Sequence, residues 1–292
     1  MSPWTTADIP DQTGKTFVIT GANSGLGEQT AKALAKAGAE VILACRNLEK
    51  AGRVATEIGP KATVAQLDLA DLDSVRTFAD GFDGADVLIN NAGLMMVPLQ
   101  RTADGFEMQM GTNHLGHFAL TGLVLPKITE RVVTLSSGAH QLSRLNVADL
   151  NWEDRRYRRV RAYGDSKMAN LMFGKELAAR LAAAGSPMAS MISHPGYAAT
   201  ELMGRTETPI DFLMKLGNKT PFAQSAADGA LPTLLAATSP DATSGTFYGP
   251  TKFGGWQGPP GISRYNKRAD DQSVRDELWS ASEKLTGVSF AF

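Results

Sequence analysis

Thr16-Phe17-Val18-Ile19-Thr20-Gly21-Ala22-Asn23-Ser24-Gly25-Leu26-Gly27 is the stretch on which the fold turns. Its first residues, rich in β-branched and aromatic side chains, predict a strand. From Gly25 to Ala37, closed by Gly38, apolar residues recur at helical spacing. Glycines in the turn between them permit positive φ, let backbone approach a pyrophosphate, and bring the helix close to the sheet. The N–H groups that open the helix then face the phosphates. The spacing is Gly-x-x-x-Gly-x-Gly rather than the common Gly-x-Gly-x-x-Gly. In this strand–turn–helix setting it reads as a dinucleotide site made by Gly21, Asn23, Ser24, Gly25, Leu26 and Gly27. A purely structural turn is the alternative.

Outward from that turn the alternation repeats. Strand patterns at Glu40–Ala44, Thr63–Leu67, Asp86–Asn90, Arg131–Ser136 and Met188–Ser193 alternate with helical ones. The helices are expected at Leu48–Ile58, Leu72–Phe82, Ala103–Leu123 and through Tyr163 to near Gly185. Such alternation predicts βαβ units with right-handed crossovers, hence an α/β fold with a parallel sheet covered on both faces. Beyond Thr200 the pattern loosens. Met203–Leu216, Phe222–Ala237 and Val274–Leu285 look helical, and Ser244–Tyr248 reads as a short strand. Gly254-Gly255-Trp256-Gln257-Gly258-Pro259-Pro260-Gly261 reads as irregular. No linker divides the chain, so residues 1–292 are expected to form one domain, with 1–13 a tail and about 200–292 a substrate-side elaboration.

The second strand ends Leu43-Ala44-Cys45-Arg46-Asn47. A site for NAD usually has Asp or Glu there to hydrogen-bond the ribose 2′-hydroxyl. Arg46 stands in that place, and a guanidinium suits a 2′-phosphate by charge and by fork geometry. NADP(H) is therefore expected over NAD(H).

The totals narrow the class. The 292 residues are 43% hydrophobic and 20% charged, with a net charge of -1, so no electrostatic footprint for nucleic acid or an acidic membrane surface is present. One run, Arg155 to Arg161, is locally basic; it reads as a solvated loop and helix entry, or as a contact for an anionic ligand or partner. Cys45 is the only cysteine, which excludes an intrachain disulfide. His114 and His117 have no acidic or cysteine partner at ligand spacing, so no metal is expected. The first residues show no secretory pattern and no apolar stretch reaches spanning length; a cytoplasmic protein without a membrane span is expected.

Tyr163-Gly164-Asp165-Ser166-Lys167 carries the chemistry. On a helix, Tyr163 and Lys167 project from one face a turn apart. A phenol has a reference pKa of about 10. An ammonium at about 4 Å, with an effective dielectric of 20, attracts the phenolate by roughly 4 kcal/mol before desolvation. That predicts a tyrosine brought into the range of acid–base work. A half-buried Tyr beside a solvated Lys is the alternative.

The glycine turn, Asn90-Asn91-Ala92-Gly93 after the fourth strand, and the Tyr163/Lys167 pair together resemble the short-chain dehydrogenase/reductase family over essentially the whole chain. The resemblance implies a Rossmann-type doubly wound, mostly parallel sheet of about seven strands. By the same resemblance Tyr163 is the catalytic acid/base, and Lys167 lowers its pKa while holding the nicotinamide ribose. Ser137 would hydrogen-bond the substrate oxygen, and Asn113 would support a proton relay through water. Asp68 and Leu69 match the adenine contact, Asn90, Ala92 and Gly93 the adenosine-side loop, and Pro195, Gly196 and Thr200 the segment over the nicotinamide. Taken singly, Ser137 could cap a strand end, Asn113 could be a helix-face amide, and Asp68 could cap the helix beginning near Asp71. A homodimer or homotetramer is implied, often built through the helices carrying Asn113 and Tyr163.

Between Ser137 and Tyr163 lie 25 residues, about twice the usual gap in this family. That insert with Asp149-Leu150-Asn151-Trp152, the Ala-Cys-Arg strand end, and Asp8-Ile9-Pro10-Asp11-x-x-Gly14-Lys15 resemble the retinol-dehydrogenase-like branch and its WW-domain-oxidoreductase relatives. They imply NADP(H) and a lipophilic alcohol or carbonyl substrate. Leu94, Met95, Met96, Leu142, Met203, Leu213, Met214 and Trp256 are candidate pocket residues, with ordinary core packing as the alternative. Competing functions are a non-catalytic NADP(H) sensor, a protochlorophyllide-reductase-like enzyme and a nucleotide-sugar epimerase or dehydratase. The first has no need of Tyr163, Lys167 and Ser137 together. The second is disfavoured because the lone Cys45, at the tip of the second strand, leaves no cysteine near the expected substrate pocket. The third usually needs a larger C-terminal substrate domain.

Overall fold

The structure, a computed structural model, describes residues 3–197 and 224–292. The sheet is built outward from β1 (Thr16–Thr20), whose Phe17, Val18 and Ile19 are completely buried. β2 (Glu40–Cys45) and β3 (Ala62–Gln66) lie to one side; β4 (Ala85–Asn90), β5 (Ile128–Leu135), β6 (Ala189–Ser193) and β7 (Phe247–Lys252) lie to the other. These strands pair in parallel in the order β3-β2-β1-β4-β5-β6-β7. The chain builds one way from β1 and then crosses to build the other way from β4. This reversal leaves a crevice at their carboxyl ends, where doubly wound sheets bind ligands.

Strand periodicity divides the core. Val18, Leu88 and Val132 point to one face, under α3 (Leu72–Asp80), α5 (Gly116–Val124), α6 (Arg159–Ala183) and α8 (Gln272–Thr286). Phe17, Ile19, Val87, Ile89 and Val133 point to the other, under α1 (Gly25–Lys36), α2 (Leu48–Ile58) and α7 (Ala226–Thr238). A sheet buried on both faces is why these strands read as continuous apolar runs.

Two expectations are corrected. The stretch Gly254–Gly261 is not irregular: an eighth strand, β8 (Gln257–Ile262), pairs antiparallel with β7. Pro259 and Pro260 are tolerated because β8 is an edge strand and needs no second ladder; Gly254 and Gly255, at φ 69° and 92°, make the reversal. The helix expected from Ala103 begins late. Gly105 at φ 83° breaks the chain there, Asp104 accepts from the Leu72 N–H of α3, and Glu107 caps a single turn, α4 (Met108–Met110). A five-residue π-helical segment, Gly111–Leu115, then leads into α5.

The expected helix Met203–Leu216, the start of the one expected at Phe222, and Thr200, Met203, Leu213 and Met214 lie outside the described residues. Among the described residues no helix is long and apolar enough to cross a membrane. The α5 and α6 helices, which the resemblance assigns to self-association, are covered by α8 and the tail behind it. Trp279 and Phe290 pack on Phe118 and Phe173, and His114 bonds Ser282.

Candidate active site

The glycine turn sits at the carboxyl end of β1. Gly21 takes φ 65°, and a Cβ there would come within 2.9 Å of the Ala92 Cβ. Gly27, in the first turn of α1, admits no side chain: a Cβ would lie 2.5 Å from both the Gly21 carbonyl oxygen and Asn91 Nδ2. Ser24 occupies the N-cap without a side-chain cap bond, so the opening N–H groups of α1 are not satisfied by their own cap. Close backbone and uncapped donors at a helix start form a cradle that fits a pyrophosphate. Thr20 joins this turn to the Asn90–Gly93 loop, its hydroxyl accepting from the Asn91 and Ala92 N–H groups at 2.9 Å each. Asn91 Nδ2 in turn donates to Thr20 O at 2.8 Å.

At the outer end, Arg46 projects from the tip of β2 with its side chain 65% exposed, 3.7 Å from the Asp68 carboxylate. An exposed pair at that separation is weak, so the guanidinium remains available to another anion. Asp68 also accepts from the Ala70 N–H at 3.0 Å, while the cap of α3 is Asp71. Leu69 is buried, and its carbonyl lies where a Cβ on Gly116 would sit, 2.3 Å away. Asn90 is fully buried and donates to Thr121. Its side chain therefore points into the protein, and only its main chain faces the loop.

At the inner end four groups converge. Tyr163 and Lys167 come from α6, Ser137 from the turn after β5, and Asn113 from the π-helical segment. Ser137 lies beside the Tyr163 phenol and exerts a lowering influence on its pKa. Lys167 is buried and donates to Leu135 O at 3.2 Å. A Cβ on Gly93 would stand 3.1 Å from Asn113 Oδ1 and 3.4 Å from Lys167 Nζ, so glycine leaves the lysine and asparagine open on that side. Asn113 is held hard: Oδ1 accepts from Leu94 N–H at 2.8 Å, and Nδ2 donates to Leu94 O at 3.0 Å and Ser166 Oγ at 2.9 Å. Burial dominates the electrostatics. It pushes the Tyr163 phenol up, against the lowering effect of Ser137, and pushes the Lys167 ammonium down to about 8. The lowered phenol expected from the sequence is thus not what this geometry produces. The ammonium lies 5.9 Å from the phenol ring centroid, and both groups lose hydration together.

Residues 15–210 match the family model of the short chain dehydrogenases. The chain belongs to the short-chain dehydrogenase family. It is therefore an oxidoreductase of the alcohol/carbonyl kind, in a family that uses a nicotinamide dinucleotide. It is 39% identical over 290 residues to retinol dehydrogenase 12 of Homo sapiens, covering 94% of this chain and 87% of that one. Retinol dehydrogenase 13 of Homo sapiens is 39% identical over 303 residues, covering 97% and 86%. Among solved structures, an uncharacterized protein from Mycobacterium paratuberculosis is 47% identical, with all of both chains covered and a TM-score of 0.87.

In this short-chain dehydrogenase the insert between Ser137 and Tyr163 is tied down from within. Arg155 pairs with Asp149 at 3.1 Å and with the buried Asp165 at 3.2 Å, and lies 3.6 Å over the Trp152 ring. The first member of the basic run is therefore an internal clamp rather than a solvated charge. Tyr157 fixes the far side, donating to Glu107 at 2.8 Å.

Three participants are absent from the sequence-based site. Thr20 and Asn91 hold the turns together, and His117 links Thr20 Oγ1 to the Asn113 carbonyl, at 2.9 Å each way. Thr20 and Asn91 stand inside the quoted motifs but looked like spacers, and a lone histidine gives no spacing signal. Of the apolar candidates, Met95 is buried, Leu94 and Met96 are half-buried, and Leu142 and Trp256 are exposed. Trp256 rests 5.9 Å from the Tyr197 ring, and Gly196 takes φ 70° beneath it, where a Cβ would meet the Trp256 carbonyl oxygen at 2.5 Å. Pro195 accepts from Gln224 at 3.2 Å.

Proposed function

We propose that this protein interconverts a lipophilic alcohol and its carbonyl with NADP(H), using Tyr163, Ser137, Lys167 and Asn113. The observation that carries the reading is the juxtaposition of Tyr163 and Ser137 beside the buried Lys167, with Gly93 leaving that lysine open toward the glycine turn. Gly21 to Gly27 would hold the pyrophosphate, Arg46 the 2′-phosphate, and Asp68 and Leu69 the adenine. The main chain of Asn90 to Gly93 would line the adenosine side. Lys167 would take the nicotinamide ribose, and Pro195, Gly196 and Thr200 would cover the ring. When bound, the dinucleotide supplies or accepts the hydride.

The chain's own groups manage the oxygen. Ser137 and Tyr163 donate hydrogen bonds to the substrate oxygen as negative charge gathers on it. Tyr163 then gives its phenolic proton to that oxygen in reduction, or takes it in oxidation. The ammonium of Lys167 holds the phenolate that results, and Asn113, locked on three sides, keeps the floor beneath the lysine in place. A lipophilic substrate is favoured by Leu94, Met95 and Met96 in the segment following Gly93. Tyr163→Phe tests the reading directly. It should lose turnover by about a thousandfold or more while binding NADPH as the parent does. Retained turnover would remove Tyr163 from the chemistry, and a parent protein that binds NADPH but turns over no alcohol or carbonyl would make it a sensor.

A further inference from the structure

Beyond Arg155, Arg158, Arg159 and Arg161 of the basic run line a cavity of about 700 Å³. Arg144, Arg158, Arg159 and Arg161 contribute to the walls, with Leu142 and Val160 between them, and none of the lining residues among the described ones is acidic. Arg144, Arg158 and Arg161 are exposed, and their guanidinium groups make no hydrogen bond or ion pair with the described residues. Leu142 and Val160 are 57% and 42% exposed, so the cavity is cationic with an apolar lining.

The placement of these charges runs against local stability. Arg158 is the N-cap of the 25-residue α6, and it makes no side-chain cap bond; Arg159 and Arg161 lie in the first turn, which holds no acidic residue. The positive end of a helix favours anions and disfavours cations. Like charges gathered there and around a hollow, those of Arg158 and Arg161 unpaired among the described residues, form an arrangement that an anion would relieve. The same two segments carry the reacting groups. Ser137 opens the turn that leads to Leu142 and Arg144, and Tyr163 follows Arg161 on α6. A rise of about 1.5 Å per residue keeps the arginines within roughly two turns of Tyr163.

We propose that this cavity is a subsite for the anionic end, carboxylate or phosphate, of an amphipathic carbonyl substrate. Its guanidiniums take the anionic oxygens, and Leu142 and Val160 take the adjoining methylenes. The proposal rests on the assignment of Tyr163 and Ser137 as the reacting pair. The subsite is separate from Arg46, which lies past the tip of β2 on the far side of β1.

The test has two arms. In the first, a long-chain aldehyde with a terminal carboxylate, its methyl ester, and the corresponding terminal phosphate are compared as substrates with NADPH. The parent should prefer the carboxylate or phosphate to the ester by about tenfold in KM. Arg158→Gln/Arg161→Gln should collapse the ratio toward one, and so should raised salt. Arg156→Gln, an exposed neighbour outside the cavity wall, should leave the ratio intact. In the second arm, calorimetric titration with dodecanoate and with dodecyl phosphate reads binding without turnover, and the double variant should weaken it by the same factor. Which of the two anions gains more identifies the head group.

Binding of either anion that depends on Arg158 and Arg161, with no aldehyde turned over, keeps the subsite and removes the proposed reaction. Turnover without preference, together with no anion binding, removes the subsite and keeps the reaction. Arginine-dependent binding to phosphatidylserine vesicles without acid-over-ester preference overturns the proposal in favour of a membrane-facing patch.

Discussion

Lys167 carries a cost in stability. Its ammonium is buried, with Leu135 O as its acceptor among the described residues, and burial brings its pKa down to about 8. Between pH 8 and the ordinary lysine value the unfolded chain holds more protons than the folded one, so stability rises with pH across that window. Below pH 8 both states are charged and the full penalty applies. Lys167→Met should therefore stabilise the fold at pH 7 by roughly 1–3 kcal/mol and erase the rise above pH 8, in urea unfolding across pH, while abolishing turnover. A variant less stable than the parent at pH 7 would show that the ammonium is better solvated than its burial implies. Arg46 works the other way, exposed and weakly paired with Asp68. Arg46→Asp should weaken NADPH binding by tenfold or more and reverse the preference against NADH. Equal dissociation constants for the two cofactors in the parent would remove the 2′-phosphate assignment.

Among the elements, the π-helical segment does the most to shape the site. An extra residue in one turn lets Asn113 reach Leu94 and Ser166 at once, and frees the Asn113 carbonyl for His117. His117 has one consistent tautomer. Thr20 Oγ1 already accepts from two N–H groups, so its proton goes to His117 Nε2, and Nδ1–H donates to Asn113 O. Burial lowers this imidazole to about 3, so the link does not titrate in the working range. His117→Leu should cost about 1–3 kcal/mol in chemical unfolding, as the Thr20 hydroxyl and the Asn113 carbonyl each lose a buried partner, and should lower kcat. Unchanged stability would mean that water replaces the ring. Asn113 itself was legible as part of a motif. The π turn was not, because no spacing in Gly111-Thr112-Asn113-His114-Leu115 separates it from an ordinary helical turn, and its contacts with Leu94 and Ser166 come from distant segments. The eighth strand was hidden for a similar reason: glycine and proline veto a central strand but not an edge one.

At the scale of the molecule, all the histidines lie inside. His114, His117, His140 and His194 are at most 3% exposed, and burial lowers each of them, to about 4, 3 and 3 for His114, His117 and His194. As pH falls below 6.5 the unfolded chain takes up protons that the folded one refuses, so stability falls, each group adding up to about 1.4 kcal/mol per pH unit. Glu107 and Asp165, raised by burial, act in the opposite sense, two groups against four. Urea unfolding should therefore show stability declining from near pH 6.5, well above the carboxylate range. A flat profile down to pH 5 would contradict it. The histidines are also joints between layers. His140 Nδ1 meets the Ser137 carbonyl and its Nε2 accepts from Asn266 beyond β8; His114 ties the π turn to α8; His194 stacks on Phe247 of β7.

The sequence by itself determined the α/β class, the glycine turn, the pairing of Tyr163 with Lys167, and the place of Arg46 at a strand tip. All of these depend on periodicity and spacing along one element or across one turn. Only the tertiary structure decided what those residues feel. The direction of the Tyr163 shift, the lock on Asn113, the clamp of Arg155 on Asp165 and the gathering of arginines around one cavity arise where distant segments meet. Burial and the partners across that meeting set charge and position, and neither is written in the spacing of a motif.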